Sequence, residues 1–173
     1  MRMLNLKPIF IDHFQTLRTG AGSTETISKG DIVSLYGFPL TVSAVAIWQG
    51  WKMGGIGDLL TALSLMCGLL FNLLVLSFDV ALRAAAQVRE SQVETLSTSV
   101  KIRLIRQLQA NTTYALVIAL TVAISLAVGA SRGMDNFNPW VTAALAYLLT
   151  HFVLVLMVIL KRIRSIFRNE LTP

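Results

Sequence analysis

The sequence predicts an all-α, polytopic membrane protein with four membrane-spanning helices. Four apolar stretches carry this prediction, at residues 32–51, 56–82, 113–130 and 140–160. At a rise of about 1.5 Å per residue, a helix of about 20 residues crosses the roughly 30 Å hydrocarbon core of a bilayer. The composition agrees with this class, because 54% of the residues are hydrophobic and only 14% are charged, an unusual balance for a soluble domain.

The distribution of Lys and Arg predicts how the spans are oriented. Thirteen of the fifteen basic residues lie in the arm before the first span, the loop between spans two and three, and the tail. Only Lys52 and Arg132 lie in the two alternate loops. Because cytoplasmic loops collect Lys and Arg, we expect both termini in the cytoplasm of a bacterial inner membrane. The pI near 10.0 then requires no direct nucleic-acid partner, since basic segments at this surface attract anionic lipids of the bilayer.

We expect one membrane domain and no folded soluble domain, because the pieces outside the spans are too short to bury a core. Residues 1–30 would form a cytoplasmic arm, residues 31–160 the four-helix domain and residues 161–173 a basic tail. Within the arm, residues 8–18 predict a short helix that either lies on the inner leaflet or packs on the cytoplasmic ends of the spans. Residues 19–30 are rich in Gly, Ser and Thr and predict a flexible linker.

The first span contains a proline, Pro39, in its predicted cytoplasmic half. Proline has no N–H to donate, so it should kink the helix and free a carbonyl that a neighbouring helix must satisfy. Trp48 and Trp51 mark the other end of the span, as aromatic residues do at a membrane interface. The loop that follows is short, which predicts that the first and second spans are antiparallel neighbours.

The middle segment, residues 83–112, contains no Gly or Pro and predicts a cytoplasmic helical hairpin that extends the second and third spans. We expect its turn near residues 97–99. An apolar stripe recurs along the hairpin at spacings of three and four residues. Its members either pack the two arms together or dock a partner: Val93, Leu96, Val100, Leu104 and Leu108.

Small residues recur every four positions in the third span. The line consists of Ala115, Ala119, Ala123 and Ala127. Small side chains let helix backbones approach closely in a membrane, so this line predicts a helix-packing face.

The sequence shows no catalytic signature, and we expect a protein that is not an enzyme. Cys67 is the single cysteine, so no disulfide can form within the chain. Two histidines are too few for a multi-histidine metal site. Neither HExxH nor a Gly-rich phosphate loop is present. We therefore expect no cofactor and no bound metal.

Polar residues inside the spans are the main candidates for function, because polar groups in hydrocarbon are costly. His151 and Asn72 lie at similar depth near mid-span, where they could bond to each other or to a second copy. Tyr147 lies one turn from His151. This histidine either titrates in a pore or is a neutral residue held by a helix–helix hydrogen bond, and the sequence leaves both open. Asp79 either pairs with Arg83, four residues later, or marks a cytoplasmic gate.

The last span carries the segment THFVLVLM, residues 150–157, which has His151 at mid-membrane among apolar residues. In this segment, in size, in its four spans and in its basic middle loop, the chain resembles the small phage-exclusion membrane proteins of the RexB type. That resemblance implies depolarisation of the inner membrane by ion conduction, and only His151 carries over. The segments IDHFQTLR (11–18) and KGDIVSLYGFPL (29–40) are similar to membrane proteins encoded in bacterial defence islands.

These features favour an oligomeric pore or membrane-disrupting effector of phage defence in the inner membrane. Four helices cannot enclose a wide pore, so this function requires a homo-oligomer. The alternative is a membrane anchor that recruits a cytosolic defence protein through the hairpin. A small transporter or a membrane enzyme is less favoured, since the spans carry no central carboxylate and no catalytic set.

Overall fold

The structure, a computed structural model, describes residues 7–16, 18–19, 26–27, 30, 33–91, 96–134 and 136–171. It is all-α, as predicted. The helical elements are α1 (Lys7–Thr16), a π-helical segment (Val33–Gly37), α2 (Phe38–Trp48), α3 (Ile56–Ser91), α4 (Leu96–Ser131) and α5 (Pro139–Leu171). Two strands of two residues, β1 (Arg18–Thr19) and β2 (Thr26–Ile27), pair antiparallel where a flexible linker was expected.

Three helices are long and apolar enough to cross a membrane, and they indicate a membrane protein. They are Ile56–Arg83 in α3, Leu104–Ser131 in α4 and Pro139–Arg164 in α5. The first predicted span corresponds to a shorter apolar helix, Val33–Trp48. At about 1.5 Å per residue it measures about 24 Å, which is less than the roughly 30 Å of hydrocarbon.

Proline and glycine set the two ends of α2. Pro39 lies at one of the first two positions of the helix, where a missing N–H is tolerated. Gly50 has φ of 64°, in the left-handed region. Its N–H and that of the next residue bond to the carbonyls of Ile47 and Ala46 at 3.0 and 2.9 Å. These two bonds form a Schellman motif, so α2 ends at Trp48.

A Schellman motif also ends α4, and a side-chain cap begins α5. Gly133 has φ of 65°, and its N–H bonds to the Ala130 carbonyl at 3.0 Å. Asn138 then accepts the Val141 N–H on its side-chain oxygen at 2.8 Å, which satisfies a free donor of the first turn of α5.

The two short loops, residues 49–55 and 132–138, meet at one end of the bundle, which we call the loop end. The Phe137 N–H donates to the Met53 carbonyl at 3.1 Å. The Met53 N–H donates to the Thr142 hydroxyl at 3.0 Å. The loop after α2 is therefore fastened to the start of α5. We call the opposite end, near Arg83 and Lys161, the basic end.

The helices pack in the order α3, α4, α5, α2, and α1 lies against α4. In the described part of the chain α2 and α3 do not pack along each other, so the prediction that the first two spans are neighbours is wrong. The loop-end hydrogen bonds explain this, because they hold α2 beside α5. The predicted turn at residues 97–99 is also wrong, since these residues lie within the first turn of α4, where short polar side chains are well tolerated.

The core follows α4 along its length. Ala115 and Ala119 are fully buried, whereas Ala123 is half-buried and Ala127 is exposed. Four residues turn an α-helix by about 400°, so a line of every fourth residue drifts by about 40° per step. The predicted face therefore leaves the core toward the loop end, where Leu126 is fully buried instead.

Candidate functional site

The centre of the bundle contains a backbone carbonyl that proline has freed. In a regular helix the N–H of residue 39 would bond to the carbonyl of residue 35, but Pro39 has no N–H. The Leu35 carbonyl instead accepts a hydrogen bond from Nδ1 of His151 on α5, at 3.0 Å. The sequence predicted that a neighbouring helix must satisfy this carbonyl, and His151 is the residue that does so.

The second ring nitrogen of His151 bonds to α4. Its Nε2 lies 2.9 Å from the Tyr114 hydroxyl. A carbonyl only accepts, so in the neutral imidazole the proton is on Nδ1 and Nε2 accepts from the tyrosine. His151 thereby links the π-helical segment, α4 and α5 through one ring.

Tyrosine rings surround this imidazole, which is only 2% exposed. The Tyr36 ring centroid lies 5.0 Å away and that of Tyr147 lies 6.0 Å away, with the Tyr147 ring nearly parallel at 9°. Tyr114 meets the imidazole edge-on at 5.8 Å. Such contacts add packing energy to the hydrogen bonds and fix the orientation of the ring.

The helix α1 adds a second histidine to this cluster. His13 is 0% exposed and stacks on Tyr114, with ring centroids 3.8 Å apart and an angle of 11°. Its Nδ1 donates to the side-chain oxygen of Asn111 at 2.9 Å. The sequence left two positions open for α1, and the structure shows this helix packed on α4. We call His13, Asn111, Tyr114 and His151 the polar cluster.

Burial keeps His13 neutral at physiological pH. Desolvation lowers its pKa from 6.5 to about 4, and the positive charge of Arg162 and the neighbouring His151 act in the same direction. The hydrogen bond with Asn111 opposes the shift. Arg162 itself donates to the Gln107 side chain, which places this cation where α4 and α5 meet.

The polar cluster can exchange protons and hydrogen bonds, but it offers no activated nucleophile. Its two imidazoles and the Tyr114 phenol are bonded or stacked in series, so the cluster joins three helices, α1, α4 and α5. Among the described residues no group of three His, Cys, Asp or Glu lies close enough together to hold a metal ion.

The structure separates Asn72 from His151. Asn72 lies on an exposed face of α3, which packs along α4 and not along α5. The first alternative, a bond between these two residues, is therefore wrong, because similar depth does not make two helices neighbours. A bond to a second copy stays a prediction. In the described part of the chain Asn72 has no hydrogen-bond partner.

The other predicted site residues have simpler surroundings. Asp79 and Arg83 form an ion pair of 2.9 Å whose side chains are largely exposed. Leu108 is buried in the core and Leu104 is half-buried, so Leu108 is not free to dock a partner. Val93 and the side chains of Leu96 and Val100 lie outside the described residues.

Sequence reasoning missed three members of the polar cluster. His13 lies in the predicted arm, and Asn111 and Tyr114 lie at or before the start of a predicted apolar span. The usable signal was their spacing of three residues, which puts both on one face of α4. Asn111 is fully buried, so that face points into the bundle.

Comparison with known proteins gives no match: no family model, curated protein or solved structure matches this chain. The fold and the polar cluster define it only as a helical bundle with three helices of membrane-spanning length.

Proposed function

We propose that this chain is the subunit of a homo-oligomeric pore, or membrane-disrupting effector, in the bacterial inner membrane. The supporting observation is a polar line on α3, which we define by Thr61, Ser64, Gly68 and Asn72. All four are exposed, and their spacing of three or four residues places them on one face of the helix.

The exposure of α3 determines what the polar line can contact. Only 11% of the apolar window of α3 is buried, against 39% for α4 and 33% for α5. A polar line that faces lipid is unfavourable, whereas one that faces water or another subunit is not. Copies of α3 arranged around a shared axis would place the polar line in a pore.

Asn72 is the residue of the polar line that needs such surroundings most. The hydroxyls of Thr61 and Ser64 donate to carbonyls of their own helix at 2.9 and 2.8 Å. The Asn72 carboxamide has two donors and an accepting oxygen, and the described residues satisfy none of them. Pore water, or the same amide of a neighbouring subunit, would supply the missing partners.

The topology we propose has the basic end in the cytoplasm, with Val33–Trp48 as a fourth, shorter crossing. Both α3 and α4 contain 36 residues, or about 54 Å at about 1.5 Å per residue. This exceeds the roughly 30 Å of hydrocarbon, so their excess length would project as a cytoplasmic hairpin.

The projecting ends of α3 and α4 support a second candidate function, a membrane anchor that binds a cytosolic defence protein. This function needs the hairpin but no conduction. The role in phage defence rests, for both candidates, on the resemblance to phage-exclusion proteins. Neither candidate includes an enzymatic step.

The pore is tested by measuring ion flux from liposomes that contain the purified chain, and the membrane potential of bacteria that overproduce it. In a Cys67→Ser background, Asn72→Cys should let a water-soluble thiol reagent block the flux. The matched control is Met66→Cys, whose side chain is also exposed but points about 120° away around α3.

Block at both positions, or at neither, would contradict a pore lined by the polar line. If the wild-type chain changes neither the ion flux from liposomes nor the membrane potential of bacteria, the proposed pore function is wrong. Capture of a cytosolic protein that is lost when the hairpin is shortened would then support the anchor.

A further inference from the structure

A buried, titratable ring holds α1 against α4. Among the described side chains of α1, His13 is fully buried, whereas Ile11 and Asp12 are exposed. Ile9, one turn before His13, is partly buried against the core. The deepest described contact of α1 is therefore made by an imidazole rather than by an aliphatic side chain.

Among the described groups that face His13, only the Asn111 oxygen favours a positive charge there, and burial outweighs it. From α4 it meets Asn111 and the Tyr114 ring, both uncharged at neutral pH. From α5 it is influenced by Arg162 and His151, of which the first is a cation and the second can become one. On α1 itself Asp12 is exposed, and the side chain of Arg18 in β1 lies outside the described residues.

We propose that α1 is an acid-released latch: protonation of His13 detaches α1 from α4 and opens the polar cluster to water. Detachment withdraws the imidazole from the face of Tyr114 and from Asn111, and Tyr114 in turn contacts His151. The latch requires no conduction, so it can be tested separately from the proposed pore.

The direction of the pH effect follows from proton linkage. In the closed latch the pKa of His13 is about 4, and in the released arm it returns to its ordinary value of 6.5. The released state binds the proton more tightly, so acid favours release. The latch is fully stable above about pH 6.5 and weakens as the pH falls toward about 4. By pH 5.5 the ratio of released to closed molecules should rise about ten-fold over neutral pH.

The experiment uses single cysteines in the full-length chain with Cys67→Ala. Ile9→Cys reports the packed side of α1, and Ile11→Cys, on the exposed side of the same helix, is the matched control. The rate of reaction with a methanethiosulfonate reagent is measured at each position, and the ratio of the two rates cancels the intrinsic effect of pH on a thiol. The ratio should rise about ten-fold from neutral pH to about pH 5.5.

His13→Phe separates the latch from general acid sensitivity. Phenylalanine can still stack on Tyr114 but cannot be protonated, so the ratio of rates should stay constant over the same pH range. A constant ratio in the chain with His13, or an equal rise with His13→Phe, would overturn the latch.

A direct titration keeps the proposal testable if His13→Phe does not fold. The chain contains two histidines, so isotope-labelled imidazole signals can be followed by NMR, with His151→Phe identifying the signal of His13. A His13 signal that titrates below about pH 5 supports the latch. Titration near the ordinary pKa of 6.5 would rule it out.

Discussion

The helices α3 and α5 each carry a polar residue near the middle of an apolar stretch, and the two residues have opposite surroundings. His151 on α5 is 2% exposed and bonds to two other elements. Asn72 on α3 is exposed and has no partner among the described residues. The neighbours make the difference, because α5 lies between α4 and α2 whereas α3 packs along α4. The packing around a span, and not depth within it, decides the role of a polar residue.

The largest effect in this comparison should come from His151→Phe. This change keeps a ring in the cluster but leaves the Leu35 carbonyl and the Tyr114 hydroxyl without their bonds to the imidazole. A buried carbonyl that loses its partner costs about 1–3 kcal/mol, and the lost bond of the Tyr114 hydroxyl adds to this cost, so we expect the free energy of unfolding to fall by about 2–4 kcal/mol. The measurement is an SDS unfolding titration of the purified chain in detergent, followed by circular dichroism.

Asn72→Leu is the matched control, since it removes a mid-span polar residue from α3. The free energy of unfolding of a single subunit should change by less than about 0.5 kcal/mol, as for other exposed positions. An equal loss in both variants would show that depth alone decides the cost. A loss of ion flux without a loss of stability in Asn72→Leu would assign Asn72 to function.

A smaller effect should come from two helical glycines, one of which is packed and the other open. A methyl group at Gly129 on α4 would lie 2.3 Å from the buried Phe137 ring, whereas one at Gly68 on α3 would meet nothing within 4 Å. Gly129→Ala should therefore destabilise the chain by about 1–3 kcal/mol.

Gly68→Ala should stabilise the isolated subunit by up to about 1 kcal/mol, because alanine favours a helix over glycine. Both substitutions are measured by the same unfolding titration in detergent. Equal effects at the two glycines would mean that α3 and α4 are equally enclosed, against the structure.

The sequence was sufficient to predict the all-α class and three long apolar helices among its four predicted spans, because apolar length is a local property of the chain. Pro39 also predicted a carbonyl in need of a partner. The sequence could not predict that His151 is this partner, since that depends on α2 packing beside α5. That arrangement rests on hydrogen bonds of the Met53 backbone to the Phe137 N–H and to the Thr142 hydroxyl at the loop end, and neither bond can be read from the residue type of Met53.

The polar cluster shows the same limit. Periodicity predicted the buried positions Ala115 and Ala119 of α4, but the deepest described contact of α1 with α4 consists of one imidazole, one amide and one phenol. Each of these residues is common at protein surfaces, so composition does not distinguish a buried contact from an exposed one. The only sequence feature that indicated the polar cluster is the position of Asn111 and Tyr114 on one face of α4.

The most specific test of the site is a double-mutant cycle between Pro39 and His151. Pro39→Ala restores an N–H at position 39, which can bond to the Leu35 carbonyl as in a regular helix. That carbonyl then no longer depends on the imidazole, so His151→Phe should cost about 1 kcal/mol less in the Pro39→Ala background. The free energies of unfolding of the four chains give this coupling directly.

Tyr114→Phe is the control, because it removes the other bond of His151 and leaves Leu35 unaffected, so its coupling to Pro39→Ala should be smaller. Additive costs of Pro39→Ala and His151→Phe would mean that the carbonyl finds another donor when the imidazole is lost, and the proline would then not be the reason for a histidine in this span.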